Sequence, residues 1–321
     1  MAWIYGPGPD LLIALCWVPM FLIGHRLAAG HGPHDDRLLR SAVAAAFLLS
    51  FLHQPLTLGL VYGDPRRFGE RRRLFLWAPP ITVAVVVVAV TFHLWILIPI
   101  AAVWNTQHTL QQRYGLSRIY ARKAGYGSAR LDRLVLYVSM VCVALAVAAS
   151  PATLRLVRRV GLGRVNGEGV RLLTSLRPVA WALFVPAAMV AVALVVAIVW
   201  QEATAEHPNP AKWLYQASSL VLIAGIAIDP VAGFVAYLGA HAVEYFVVVY
   251  KTTETRHGRR VGRLGVLAGV VGVALLAHRQ LHSEVFDVTI YTVGALHFLY
   301  DSFIWKLRKP AVAADFAIPR R

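Results

Sequence analysis

The chain has 321 residues, 58% of them hydrophobic and only 15% charged, against about 45–50% and about 25% in soluble globular domains. That balance excludes an ordinary water-soluble domain and predicts an all-α fold, a polytopic integral membrane helix bundle. The formal net charge of +16 does not call for nucleic acid, because Lys and Arg gather in short stretches between apolar runs, where they act as topology signals and lipid-headgroup contacts.

In chain order, the N-terminus lacks a basic leader and a small-residue cleavage site, so Leu11 to Ile23 reads as part of a retained first span. Runs of about 17–25 mostly apolar residues are long enough to cross a hydrocarbon core of ~30 Å. They read as Leu39 to Tyr62, Leu74 to Phe92, Leu94 to Leu110, Leu131 to Ser150, Val179 to Trp200, Trp213 to Ile228, Val231 to Tyr250, Leu264 to Ala277 and Val285 to Trp305. The expectation is about ten spans, with residues 1–310 as a single transmembrane domain and 311–321 as a short cytoplasmic tail. The two cysteines, Cys16 and Cys142, both sit inside apolar runs and suggest neither a disulfide framework nor a zinc ribbon.

Positive charge sets the orientation. Asp64 to Arg73, Arg113 to Arg133, Lys251 to Arg263 and the segment from Lys306 onward are basic, and all four fall on one side under the ten-span count. Both termini are then cytoplasmic, in a protein of the cell inner membrane. Leu154 to Arg177 breaks the pattern: it is arginine-rich, with Glu168 as its single acid, yet falls outside. It reads as an interfacial amphipathic piece, or it marks a re-entrant neighbour.

Polar residues inside the apolar runs carry the functional information. Of 12 histidines, His53, His108, His241 and His297 lie within spans; the acids Glu244 and Asp301 follow His241 and His297 at helical spacing. Such pairs share a helix face, and ionisable groups inside a bilayer are costly unless they pair or bind something. Counting to the next basic residue, His53 precedes Arg66 by thirteen, His241 precedes Lys251 by ten and His297 precedes Lys306 by nine. At ~1.5 Å per residue these three share a depth to within ~6 Å. His108 lies five residues before Arg113, nearer the cytoplasmic surface.

Neutral imidazoles with carboxylates are ligands for iron, zinc or manganese. The expected ligand set is His53, His108, His241, His297, Glu244 and Asp301, with the two acids as ligands or as groups that orient imidazoles. Tyr245 and Tyr300 adjoin the paired motifs as candidate proton donors. Six ligands exceed the needs of one zinc, which favours iron, with a dinuclear centre in view. The residue set is similar in kind to that of the histidine-rich integral-membrane oxygenases and desaturases, which hold non-haem iron near the cytoplasmic face. Their closely spaced histidine boxes are absent here, since the four histidines lie on four different spans.

The expectation is therefore a membrane metalloenzyme, an iron oxidoreductase such as a hydroxylase or desaturase, acting on a lipid or other apolar substrate. Its partners are the bilayer, that substrate and a cytoplasmic electron donor. The basic aromatic stretch Ser117 to Lys123 suits such a donor or anionic lipid, or serves simply as an anchor at the inner surface. The alternatives are a zinc-dependent intramembrane hydrolase, with one carboxylate as general base, and a proton or metal-ion transporter.

Overall fold

The computed structural model describes residues 3–30, 32–161, 166–257 and 284–318. Among these every regular element is a helix. In chain order they are α1 (Pro7–Leu15), α2 (Trp17–Ala29), α3 (Pro33–Tyr62), α4 (Pro65–Glu70), α5 (Arg72–Thr91), α6 (Leu97–Ala124) and α7 (Ala129–Ala149). There follow α8 (Pro151–Arg159), α9 (Gly167–Ser175), α10 (Arg177–Ala203), α11 (Pro210–Ile228), α12 (Pro230–His257), α13 (Glu284–Ile304) and α14 (Pro310–Asp315).

Seven stretches among the described residues are long and apolar enough to cross a membrane: 7–29, 33–62, 72–91, 129–149, 177–203, 210–228 and 230–254. Their outer faces carry large apolar side chains such as Trp77, Ile81, Val85, Met189, Val192 and Trp200. In water such a surface would drive aggregation, whereas in lipid it is the solvated face. The chain is thus a helical membrane protein.

The described residues show seven such stretches and do not confirm the count of ten. Leu264–Ala277 lies outside the described residues. The segments in α6 and α13 are helical as expected, but Asn105, Gln107, His108, Gln111 and Gln112 in α6, and Glu284, Asp287 and Asp301 in α13, make them more polar than the seven. The arginine-rich stretch after α7 forms the short helices α8 and α9. Leu156 and Val160 turn inward against Ala28, Leu39 and Val231, while Arg155 stays exposed and Arg159 binds Asp36 and the Ala28 and Gly30 carbonyls. This division of faces matches the interfacial reading. The segment expected as a free tail contains α14, and Val312 and Phe316 are buried.

Contacts group the chain into two compact units: residues 1–47, 109–243 and 317–321 form the first, and 48–108 and 244–316 the second. The boundaries fall inside α3, α6 and α12.

In the first unit α7 packs on α10 and α11, around a core that includes Leu136, Met140, Leu222, Ile223, Ala236 and Tyr237. The break between α11 and α12 is written in Asp229-Pro230. Proline lacks the N–H that an interior helical position needs, and the Asp229 carboxylate accepts from the Val231 and Ala232 amides while pairing with His25 at 2.9 Å. Gly24 and Gly239 let α2 and α12 approach closely, since a Cβ on Gly24 would lie 3.0 Å from the Ala232 Cα and one on Gly239 would meet the Met20 sulfur at 2.3 Å.

The first unit also buries charge. Arg118 pairs with Asp132, whose other oxygen accepts from Gln216 at 2.9 Å, and Lys212 pairs with Glu202, which also accepts from Tyr126 at 2.7 Å.

In the second unit α5 packs on α13. Val61, Phe75, Ala78, Leu296, Tyr300 and Ile304 form its main core, and Leu56, Tyr245 and Val249 a second cluster. Pro55 sits inside the unbroken α3, two residues after His53.

Candidate metal centre

Within the second unit, His53 and Thr57 come from α3, His108 from α6, Tyr245 from α12, and His297 and Asp301 from α13. Each pair on α3 and α13 is spaced i, i+4, so both members face the same way. His53, Thr57 and His297 are fully buried, and His108, Tyr245 and Asp301 nearly so.

Hydrogen bonding decides how His297 is presented. Asp301 Oδ1 accepts from the Thr57 hydroxyl at 3.0 Å and from the Tyr245 hydroxyl at 3.0 Å. Thr57 Oγ1 also touches Tyr245 OH, and lies 2.6 Å from His297 Nδ1. A threonine hydroxyl has one proton and two lone pairs. When that proton goes to Asp301, Thr57 can only accept from His297, the tautomer in which Nδ1 of His297 carries the hydrogen. Its Nε2 is left with the lone pair. This is the arrangement by which a hydrogen bond to one ring nitrogen prepares the other as a ligand.

Nε2 of His297 faces Nε2 of His53 at 3.2 Å. Nitrogens bound at ~2.1 Å to one ion and subtending about 90–110° stand roughly 3.0–3.4 Å apart, so this spacing fits two ligands of a common ion. Asp301 Oδ2 lies 3.7 Å from His108 Nε2 and 3.9 Å from His297 Nε2. Both separations are below the ~4.2 Å that two such bonds can span. The ligand atoms of His108, His297 and Asp301 all lie within 4.8 Å of one another, a group that can hold a metal ion. The rings meet edge to face, with centroids 4.7 Å apart for His108 and His297 and 4.8 Å for His53 and His297.

His241 is fully buried on the part of α12 that belongs to the first unit, with its carbonyl accepting from Gln112 at 3.2 Å. It stands one turn before Tyr245 on the same face of that helix. Glu244 is fully buried in the second unit, and its neighbour Tyr245 donates to Asp301. Tyr300 points away from the imidazoles: its hydroxyl meets Tyr62 OH at 2.8 Å and the Phe75 carbonyl at 3.5 Å.

Thr57 is the functional residue that composition hides. Its signal in the sequence is the position four residues after His53, on the same helix face.

Comparison with protein-family models, with curated proteins and with solved structures finds no match. The chemistry of the cluster is therefore the ground for a functional reading.

Proposed function

We propose that the second unit holds a non-haem iron ion on His53, His108, His297 and Asp301, and that the protein is a membrane-embedded oxidoreductase of the hydroxylase or desaturase kind. The observation that carries this reading is the facing of the His53 and His297 Nε2 atoms at 3.2 Å beside Asp301. Imidazole and carboxylate together suit iron, which supplies dioxygen chemistry when given electrons.

What the chain's own residues do follows from their contacts. Thr57 fixes the tautomer of His297, and Tyr245 holds Asp301 with its second oxygen turned to the imidazoles. With Asp301 serving as a ligand, the four converging groups hold no second carboxylate to act as general base. A zinc hydrolase needs such a base for its water, so oxidation ranks ahead of hydrolysis.

An apolar substrate has an approach. An open groove of about 480 Å³ is lined by Ile96, Pro99, Ile100, Val103, Trp104 and Gln107. Its Trp104 lies 5.9 Å from Phe298, and Phe298 lies 4.7 Å from His108, ring centre to ring centre. A lipid-like molecule entering sideways from the bilayer meets the cluster through these two aromatics. Electrons come from a cytoplasmic donor, with both termini on that side.

Metal analysis of the purified protein tests the assignment. Iron at about one per chain, removable by chelation and restored by ferrous ion, supports it. Zinc in its place supports the hydrolase, and a chain that stays metal-free after reconstitution with either ion rules out both.

A further inference from the structure

We propose that Arg71, Lys306 and Arg308 form a binding site for the phosphate of an anionic phospholipid headgroup, at the end of the second unit where α5 begins and α13 ends. The inference is independent of the metal reading. Phe303, in the last turn of α13, organises the site. The Arg71 guanidinium carbon lies 4.3 Å from its ring centroid, and the Lys306 ammonium lies 4.9 Å from the same centroid. One ring thus holds two cations no more than about 9 Å apart. A single phosphate that puts one oxygen on each, at contacts of about 2.8 Å, bridges roughly that gap.

The nearby acids are committed elsewhere. In the connection 63–71 and the segment 305–309 the acids are Asp64 and Glu70. Asp64 caps α4 through the Arg66 and Arg67 amides and pairs with Arg67 at 3.5 Å, while Glu70 pairs with Lys309. Arg308 is exposed beside this group. Burial first, and after it the neighbouring charges of Arg308, Arg71 and Lys309, pull the Lys306 pKa below the usual lysine value.

Position selects the source of the phosphate. Arg71 stands at the start of α5, one of the seven stretches long and apolar enough to cross a membrane, which puts these cations at headgroup depth. A phosphodiester fixed in the membrane plane reaches them without leaving the bilayer.

Native mass spectrometry of the full-length, delipidated protein tests this, with phosphatidylglycerol and phosphatidylcholine added separately. The expected result is retention of phosphatidylglycerol with a preference of about tenfold or more. That preference disappears in Arg71→Gln/Lys306→Gln and survives in Lys306→Arg and in the control Arg155→Gln. Should the double variant fail to fold, Arg71→Gln and Lys306→Gln singly must each lose part of the preference. Equal retention of the two lipids, or a preference unchanged in the variants, overturns the proposal. Displacement of phosphatidylglycerol by inorganic phosphate overturns the lipid source.

Discussion

In the first unit Arg118 meets Asp132 and Lys212 meets Glu202, each cation matched by one carboxylate; in the second, His53, His108 and His297 gather at the single carboxylate of Asp301. Matched charges cancel, and a buried pair of that kind is complete in itself. Imidazoles are different. They bring lone pairs and no charge of their own, and three of them around one acid make a surplus of donors to a cation. The same solvent, lipid, therefore surrounds a closed polar network in one unit and a ligand-rich one in the other.

Removing a ligand separates the two most sharply. His297→Ala is expected to abolish metal retention, at least about a hundredfold in affinity, while the helical fold persists by circular dichroism. Asp132→Asn is expected to do the reverse. It leaves the half-buried Arg118 without its carboxylate partner, so the unfolding midpoint drops while metal content stays at the wild-type level. If Asp132→Asn lost metal as completely as His297→Ala, the contrast between the units would collapse.

Thr57 gives a smaller and more specific effect. Thr57→Val keeps the shape and deletes the hydroxyl that takes the His297 Nδ1 hydrogen, so metal affinity should fall about 10–100-fold. Thr57→Ser should recover most of it. Equal loss in the serine and valine variants would mean that packing, not the hydrogen bond, is what Thr57 supplies.

The smallest effect belongs to Tyr245→Phe. It removes one donor to Asp301, a change of about 1 kcal/mol, which calorimetric titration with metal would register as a loss of several-fold. A tyrosine that served only the core would show no change in affinity at all.

The spans were legible because apolar length is a direct consequence of bilayer thickness. The depth count was also informative for His53 and His297, whose Nε2 atoms meet at 3.2 Å. For His108 the count rested on Arg113 as a boundary. Arg113 looks like a membrane boundary in sequence, yet it is fully buried, donates to Ser219 at 3.0 Å, and lies within an α6 that runs unbroken to Ala124. A basic residue marks an interface only when it is solvated.

Helix spacing gave direction without neighbours. Tyr245 and Tyr300 were equivalent by sequence, each beside a paired motif, but one bonds Asp301 and the other bonds Tyr62. Thr57 was readable in principle from its place one turn after His53. A threonine in a membrane helix is ordinary, however, and only the three partners of its oxygen reveal its part.

The most direct measurement is X-ray absorption at the iron edge on reconstituted protein. The account predicts a shell of nitrogen and oxygen at about 2.0–2.2 Å with the outer-shell scattering of several imidazoles, and loss of that scattering in His297→Ala. An iron spectrum without imidazole scattering, or one unchanged in His297→Ala, would contradict it.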